Sequence, residues 1–308
     1  MSSAGAAPGS RLDRWRNALL LPGETDAVGS VARELSEYLG LPRQGALERC
    51  HSAVADSRAH WLSRPRRTAG EIADFYESCE SYLFEHMHWH ATFEEGETLA
   101  SAAAVDLAAR LGARRVLDYG GGVGTAALMF SQAGFDVAQA DISGRMLEFC
   151  RWRFERRSLP RPRLIDLRRE ALPEGFFDLA LVVDVLEHVP DPLATIEEIS
   201  RSLSEKGVAV VALGFGADPD RPMHIIHTPW RFLAGARSRG LSLTSPPEMI
   251  EFPFIRVYKR VRRGMASRVA VRLLDEASVA ALRGARAGRW LASAAIGRLA
   301  RRDQRGER

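Results

Sequence analysis

One stretch of the chain, VLDYGGGVGTAALMF at residues 116–130, concentrates residues that could hold a charged ligand. An apolar run ends in an acid, Asp118, and four glycines follow within five positions. They are Gly120, Gly121, Gly122 and Gly124. Glycine is unfavourable inside a strand or a helix, so this loop must need its bare backbone. A glycine loop between a strand and a helix brings main-chain N–H groups to the sheet edge where doubly wound folds bind nucleotides.

Two kinds of ligand compete for this loop. Gly122, Gly124 and Ala127 fit the G-x-G-x-x-G/A fingerprint of dinucleotide binding, which is weak evidence on its own. Asp118 with Gly120, Gly122 and Gly124 fits D-x-G-x-G-x-G, in which a carboxylate stands beside the loop. A carboxylate repels a pyrophosphate but attracts the ammonium and sulfonium groups of S-adenosylmethionine. Asp118 therefore favours the cationic cofactor, either by direct contact or by orienting the loop.

A second acid, Asp141, ends the next apolar stretch, DVAQADIS, 17 residues after Gly124. An acid there can accept hydrogen bonds from both ribose hydroxyls of a nucleotide cofactor. Because that position fits either cofactor, it indicates the fold more than the chemistry. The segment FDLALVVDVLEHVPDP at residues 177–192 is more discriminating.

With these motifs, roughly residues 98–262 resemble the class I S-adenosylmethionine-dependent methyltransferases, which typically carry an FDLV-type strand and a D-x-L-E-H-V-x-D-P segment. The resemblance implies S-adenosylmethionine as cofactor. It implies a set of residues around the methionine portion: Asp118, Tyr119, Gly120, Gly122 and Gly124. It also places Asp141 on the ribose, Ile142 against the adenine, and Asp184 and Leu186 along the cleft. An acid after the third strand usually meets the adenine amino group, and Asp166 is assigned to it with Glu170 as the rival.

His188, in the LEHVPDP stretch, is the candidate catalytic residue. Methyl transfer from a sulfonium is a direct displacement with a neutral leaving group, so the enzyme mainly holds the reacting atoms in line. A base is needed only where the acceptor must lose a proton, and the ordinary pKa of histidine lies near neutrality. The alternative is a histidine that braces the turn after the fourth strand.

Further histidines occupy two stretches that could face the acceptor. In EHMHWHA, His86 and His90 share a helix face, and with Tyr76 and Tyr82 they are candidates for lining a substrate pocket. Plain helix packing and a metal pair are the alternatives, and we predict no metal because a zinc site needs further ligands. His224 and His227 follow the fifth strand, at the end of the sheet that faces the acceptor. The alternative there is a loop that packs on the core.

Hydrophobic patterning predicts the elements that position these residues. From residue 97 to 262, short apolar runs alternate with helical patterns, which predicts an α/β fold: a Rossmann-like, doubly wound, mostly parallel sheet of seven strands. LSLT and IRVYKRV have no clear helix between them and are predicted to pair antiparallel. GEIADFYESCESYLFEHMHWHA and DPLATIEEISRSLSEKG are each predicted as one helix. The first ten or so residues are predicted to be disordered.

Composition bounds the class of protein. The 308 residues are 46% hydrophobic and 27% charged, which is typical of a soluble globular protein. Three scattered cysteines exclude a disulfide framework and favour a reducing cytoplasm. The N-terminus lacks the pattern of a signal peptide, and no apolar run approaches the ~20 residues that span a bilayer. We therefore expect a cytoplasmic protein.

Charge is uneven along the chain. Residues 255–308 carry a net charge of +11, whereas the other residues carry −7. Residues 263–308 are predicted to form a basic, partly amphipathic helical tail. Such a helix can contact an anionic membrane peripherally, whereas a solvated appendage packed on its own protein is the simpler interpretation. Nucleic acid is disfavoured, because no known RNA-binding module is visible.

Together these patterns predict a methyltransferase core at residues 97–262, preceded by a helical cap at residues 1–96 and followed by the basic tail. The cap indicates an enclosed pocket and hence a small-molecule acceptor, for example a natural-product intermediate. One alternative is a lipid or quinone-like acceptor reached at a membrane surface. An alternative from another class is an NAD-dependent oxidoreductase that uses Gly122, Gly124 and Ala127.

Overall fold

The computed structural model describes residues 10–214, 222–225, 227 and 229–261. The predicted basic tail and the predicted disordered start lie outside these residues. The helices are α1 (Arg11–Leu19), α2 (Ala27–Leu39), α3 (Arg43–Leu62), α4 (Ala69–Ser78), α5 (Glu80–Thr92), α6 (Glu97–Leu111), α7 (Thr125–Gln132), α8 (Gly144–Arg156), α9 (Pro192–Ser202), α10 (Pro229–Ser238) and a 3-10 turn (Pro247–Met249). The strands are β1 (Arg115–Tyr119), β2 (Asp136–Asp141), β3 (Arg163–Asp166), β4 (Phe177–Val182), β5 (Leu203–Ala212), β6 (Leu241–Thr244) and β7 (Ile255–Arg260). None of the described helices has both the length and the apolar character needed to cross a membrane.

The strands form one seven-stranded sheet in the order β3-β2-β1-β4-β5-β7-β6. The first five pair in parallel, whereas β7 runs antiparallel to both β5 and β6. This confirms the predicted mostly parallel sheet and its late antiparallel pair. The strand order reverses between β1 and β4, so their carboxyl ends border the crevice where open α/β sheets bind ligands.

Alternating side chains of the central strands enter two hydrophobic cores. Val116 and Leu179 join the core that includes α6 and α7, whereas the adjacent Leu117 and Ala180 join the core of α9 and α10. Both faces of the sheet are therefore covered. Coverage on both faces is why β4 reads as a near-continuous apolar run.

The N-terminal helices share the first of these cores. Their apolar side chains pack in the same cluster as α6, α7 and α8. Glu34 of α2 and Arg153 of α8 form a fully buried ion pair, with Oε1 and Nε 3.0 Å apart, and Arg157 pairs with the same carboxylate. Residues 10–96 are thus tied to the sheet, and their role as a cap over a pocket stays a prediction.

The predicted long helix over residues 70–91 is broken at Cys79. There the backbone is extended, with φ −79° and ψ 94°, so α4 ends at Ser78 and α5 begins at Glu80. Cys79 is buried in the core, and no glycine or proline marks the break. Tertiary packing therefore overrides the local helical pattern at this position.

The predicted helix over residues 191–207 is too long, because α9 ends at Ser202. The residues from Leu203 onward belong to β5, which pairs Leu203 with Phe177 across an irregular register. A Cβ at Gly207 would lie 2.8 Å from the carbonyl oxygen of Phe177. The irregular pairing therefore depends on glycine at this position.

Candidate active site

The glycine loop connects β1 to α7 and is enclosed on two sides. Gly122 has a φ of +51°, and a Cβ there would lie 2.8 Å from Nδ1 of His86 on α5. Gly120 has a φ of +68°, and a Cβ there would lie 2.6 Å from a methyl group of Val185. A side chain at either position would be strained and would collide with a neighbour. The loop therefore needs glycine both for its backbone conformation and for the close approach of α5 and of the segment after β4.

Asp118 lies behind this loop, is 4% exposed, and accepts a hydrogen bond of 3.1 Å from the Ala127 N–H in the first turn of α7. Its Oδ2 is 2.6 Å from where a Cβ of Gly121 would be. Burial raises the pKa of Asp118 to about 7. The sequence allowed Asp118 either to contact the cofactor directly or to orient the loop, and this geometry favours the second role. Gly124 also faces protein, because a Cβ there would meet the Cys150 sulfur on α8 at 2.5 Å.

Asp141 faces the loop from the end of β2. Its Oδ2 accepts a hydrogen bond of 2.9 Å from the Gly122 N–H, and its Oδ1 accepts one of 2.8 Å from the Ser143 N–H. Ser143 in turn caps α8 by accepting from the Met146 N–H. Burial raises the pKa of Asp141 to about 6 despite these hydrogen bonds. The carboxylate is thus fixed at the junction of the loop and α8.

A cavity opens at this edge of the sheet, beneath α4 and α5. The predicted cofactor residues that line it are Tyr119, Gly120, Gly122, Asp141, Ile142 and Asp184. The aromatic and imidazole side chains of Tyr76, Tyr82, His86 and His188 line its other side. Most of the predicted cofactor set therefore meets in one place.

A second cavity adjoins the first and shares four lining residues with it: Tyr82, His86, Asp184 and His188. His90 and His224, both predicted on the acceptor side, line this second cavity together with Trp89 and Met223. Nδ1 of His90 forms a 2.9 Å hydrogen bond with Thr125 Oγ1. Burial, together with the charges of His86 and Arg153, lowers the pKa of His90 to about 3. His90 is therefore neutral near physiological pH.

Five predicted residues line neither cavity: Asp118 and Gly124 face protein at the glycine loop, and the other three lie elsewhere. Leu186 is fully buried in the core of α9 and α10, and the neighbouring Val185 lines the cavity in its place. Asp166 forms an ion pair of 3.1 Å with Arg169 and lines a separate open cleft, which its rival Glu170 also lines. The imidazole of His227 contacts the Val189 carbonyl oxygen at 2.9 Å and lines neither cavity.

Sequence reasoning missed several lining residues, among them Trp89, Met146, Leu167, Val185 and Val189. Leu167 and Val185 each lie one position from a residue that was predicted. Both follow the end of a strand, where the alternation of side chains no longer says which residue faces the cleft. No comparable signal marked Trp89, since a tryptophan on a packed helix is ordinary.

His188 stands where the two cavities meet. Its Nδ1 is 2.9 Å from the Tyr76 hydroxyl oxygen, and its Nε2 is 3.7 Å from Oδ1 of Asp184. The His224 ring packs edge-on against it, with ring centroids 4.7 Å apart. Asp184 has a φ of +57°, a conformation that is uncommon outside glycine and recurs at functional sites. Burial raises the pKa of Tyr76 well above its ordinary value, so the phenol is neutral.

Comparison with known proteins identifies a matching family. A family model described as "Methyltransferase domain" matches residues 80–249. The ubiquinone biosynthesis O-methyltransferase of Bordetella avium (strain 197N) is 34% identical over 98 residues, which make up 30% of this chain and 39% of that protein. The matched segment thus spans well under half the length of this curated relative.

Solved structures of similar shape include two methyltransferases. The 1,6-didemethyltoxoflavin-N1-methyltransferase of Burkholderia thailandensis, solved with bound 1,6-didemethyltoxoflavin and S-adenosylhomocysteine, is 21% identical with a TM-score of 0.46. That match covers 64% of this chain and 92% of the other. A TehB-like S-adenosylmethionine-dependent methyltransferase of Corynebacterium glutamicum is 22% identical with a TM-score of 0.46, covering 59% of this chain and 97% of the other.

Proposed function

The chain belongs to the class I S-adenosylmethionine-dependent methyltransferase family, and from that premise we propose that it methylates a hydroxylated small molecule. Its cofactor is S-adenosylmethionine. One observation carries the proposal: the cavity beside the glycine loop and the cavity beside Trp89 meet at His188. A donor in the first cavity and an acceptor in the second would therefore face each other across this histidine.

The residues of the first cavity suit the cofactor. Asp141 is buried and already oriented by two N–H donors, so its carboxylate can accept hydrogen bonds from the ribose hydroxyls. Ile142 and Leu167 provide apolar surface for the adenine. Gly120 and Gly122 would let the methionine portion approach the backbone, and Asp118 would hold the loop in shape from behind. When bound, the cofactor supplies a methyl group on a sulfonium, which a nucleophile displaces directly.

The second cavity suits a planar acceptor with a polar edge. Trp89 and Tyr82 offer flat apolar surface, whereas His86 and His224 offer hydrogen-bonding groups. An aromatic ring that carries a hydroxyl group combines both properties. The same lining fits a small molecule better than the surface of a macromolecule, because α4 and α5 lie over the site.

His188 is the residue best placed to take the proton from such a hydroxyl. If Nδ1–H donates to the Tyr76 oxygen, Nε2 is left unprotonated on the side of Asp184. Nε2 can then take the proton of the acceptor hydroxyl while the oxygen of that hydroxyl attacks the methyl carbon. Asp184 would stabilise the resulting imidazolium. General-base catalysis of this kind contributes about 10²–10⁴-fold to a rate.

A second acceptor class is a quinone-like phenol with an apolar chain. The relative from Bordetella avium is named as an enzyme of ubiquinone biosynthesis, and that name favours this class. A nicotinamide-dependent reaction is no longer favoured, because the matching family is a methyltransferase family.

Two measurements test the proposal. Calorimetry should show one S-adenosylhomocysteine bound per chain and no binding of NAD. Radiolabelled methyl transfer should then be measured with catechols, with the matched aminophenols and anilines, and with phenols of increasing alkyl chain length. We expect transfer to hydroxyl groups, and His188→Gln should reduce it at least 100-fold without weakening S-adenosylhomocysteine binding. Absence of S-adenosylhomocysteine binding, or transfer confined to amines, would overturn the proposal.

A further inference from the structure

Three potential metal ligands meet where the two cavities join. One carboxylate oxygen of Asp184 and one ring nitrogen from each of His188 and His224 lie within 4.8 Å of one another. We propose that these three side chains bind a divalent transition-metal ion, which holds the acceptor oxygen beside the methyl donor. The role in methyl transfer rests on the proposed function, whereas the ion site itself rests on the geometry alone.

The spacing of the ligand atoms suits such an ion. Metal–ligand bonds of about 2.1 Å place neighbouring donor atoms roughly 3 to 3.5 Å apart. Asp184 Oδ1 and His188 Nε2 are 3.7 Å apart, so small rotations of the side chains would complete the set. Imidazole nitrogens favour Zn²⁺, Fe²⁺ or Co²⁺ over Mg²⁺ and Ca²⁺, which prefer oxygen. Three protein ligands also leave open positions for an acceptor oxygen.

A buried carboxyl group beside the cluster is an independent indication of a cation. Glu187 is 1% exposed, and its Oε2 has no hydrogen-bond partner in the part of the chain that the structure describes. It forms no ion pair with a lysine or arginine among those same residues. A bound dication would offset the mutual repulsion of the Asp184 and Glu187 carboxylates.

The ligands are held by their surroundings. Tyr76 contacts Nδ1 of His188, the arrangement in which a metal-bound histidine donates its second ring N–H to a fixed oxygen. The Ile225 N–H donates a 2.6 Å hydrogen bond to the Glu187 carbonyl oxygen, which fixes the segment that carries His224 against the segment that carries His188. Ligands from two separate loops are thus positioned together.

The ion changes how the acceptor loses its proton. With Nε2 of His188 engaged as a ligand, the acceptor hydroxyl would bind the ion, which lowers the hydroxyl pKa so that its proton leaves to water. The oxygen then forms a bond to the methyl carbon, the carbon–sulfur bond breaks, and S-adenosylhomocysteine leaves without charge. An acceptor with two adjacent oxygens, such as a catechol, could occupy two open positions at once. His188 would act as a base only in the metal-free enzyme.

The test uses the untagged full chain after treatment with a chelator. Co²⁺ titration followed by visible absorption should show one ion per chain and the d–d bands of a histidine-coordinated ion, and Mg²⁺ should not displace it. His224→Ala and Asp184→Asn should each weaken Co²⁺ binding at least tenfold. His227→Ala is the matched control, because the same substitution in the same segment removes a histidine that lies outside the cluster.

S-adenosylhomocysteine affinity of the metal-free protein separates the two proposals. If that ligand binds but wild type takes up no stoichiometric Co²⁺, the metal site is wrong and the methyltransferase proposal stands. If Co²⁺ binds but S-adenosylhomocysteine does not, the metal site stands and the methyltransferase proposal is wrong. Equal losses of Co²⁺ affinity in His224→Ala and His227→Ala would also overturn the assigned ligands, and circular dichroism of each variant checks that it folds.

Discussion

The hydroxyl oxygen of Tyr76, in the last turn of α4, lies 2.9 Å from Nδ1 of His188, although 112 residues separate them in the chain. Only one of the two can donate the proton of this hydrogen bond, so the direction of the bond is coupled to which ring nitrogen of His188 carries hydrogen. The N-terminal helices therefore do more than complete a core. They give a residue in the LEHVPDP segment a hydrogen-bond partner.

Tyr76→Phe tests this relationship, because it removes the hydroxyl and keeps the ring. We expect about tenfold weaker Co²⁺ binding, since the partner of a ligating histidine orients it. The free energy of unfolding should fall by about 1 kcal/mol, and S-adenosylhomocysteine affinity should change less than twofold. Tyr258→Phe is the control, because the buried Tyr258 hydroxyl has no hydrogen-bond partner in the described residues. Identical effects of the two substitutions would show that Tyr76 does not orient His188.

Gly122→Ala should weaken S-adenosylhomocysteine binding at least tenfold in calorimetry, because the new Cβ would meet His86 at 2.8 Å and displace the loop. Gly134→Ala is the matched control, since Gly134 also has a positive φ, +91°, but has open space around its Cβ position. Both substitutions should destabilise the fold by about 1 kcal/mol through backbone strain. Equal affinities in the two variants would show that the loop does not contact the cofactor.

Glu34→Gln should lower the free energy of unfolding by about 3–5 kcal/mol, because it leaves the fully buried guanidinium of Arg153 without its carboxylate. Glu37→Gln, one turn further along α2, also removes a partner of an α8 arginine, Arg156, but at a partly exposed site. That control should cost less than about 1 kcal/mol. Denaturant unfolding of both variants gives the comparison, and similar losses would mean that the buried pair does not fasten α2 to α8.

Much of the core was predictable because its signals are local. The apolar run of β4, the glycines of the loop and the acid at the end of β2 each follow from the backbone or packing at one place in the sequence. Leu186 and Asp166, by contrast, do not line this cavity. Asp166 is the last residue of β3 and Leu186 follows the end of β4, and at such positions a shift of one residue decides which side chain faces the cavity.

The features that depend on contacts between distant parts of the chain could not be predicted from the sequence. No glycine or proline marks the helix break at Cys79 in the sequence. The break arises from packing between α4, α5 and the core. His224 lies 36 residues after His188, and only the folded loops bring both imidazoles to Asp184. The sequence offered the histidines singly, so a set of three ligands could not be recognised from spacing.

The contribution of Asp118 to the free energy of unfolding should fall as pH rises from about 4 to about 7 in the absence of ligand. Burial raises the pKa of Asp118 to about 7, so this carboxyl group holds its proton in the folded protein across an interval in which it loses that proton in the unfolded chain. Asp118→Asn should flatten that part of the profile, since the amide oxygen can still accept from the Ala127 N–H. Asp178→Asn is the control with the opposite sign, because hydrogen bonds from Arg115 and Arg114 hold the Asp178 pKa below its usual value against the effect of burial. A profile of Asp118→Asn parallel to that of wild type would refute the assignment.

S-adenosylhomocysteine affinity should depend on the ionisation of Asp141. Burial raises its pKa to about 6, so the group is a full acceptor for ribose hydroxyls above pH 6 and becomes protonated below it. We expect the dissociation constant, measured by calorimetry, to rise by up to about tenfold per pH unit below pH 6. Asp141→Asn should bind S-adenosylhomocysteine more weakly at pH 8, and its affinity should depend little on pH. Asp118→Asn is the control: it removes only the acid behind the loop, so its affinity should still fall below pH 6 as in wild type. A wild-type affinity that stays constant between pH 5 and pH 8 would mean that Asp141 does not hold the ribose.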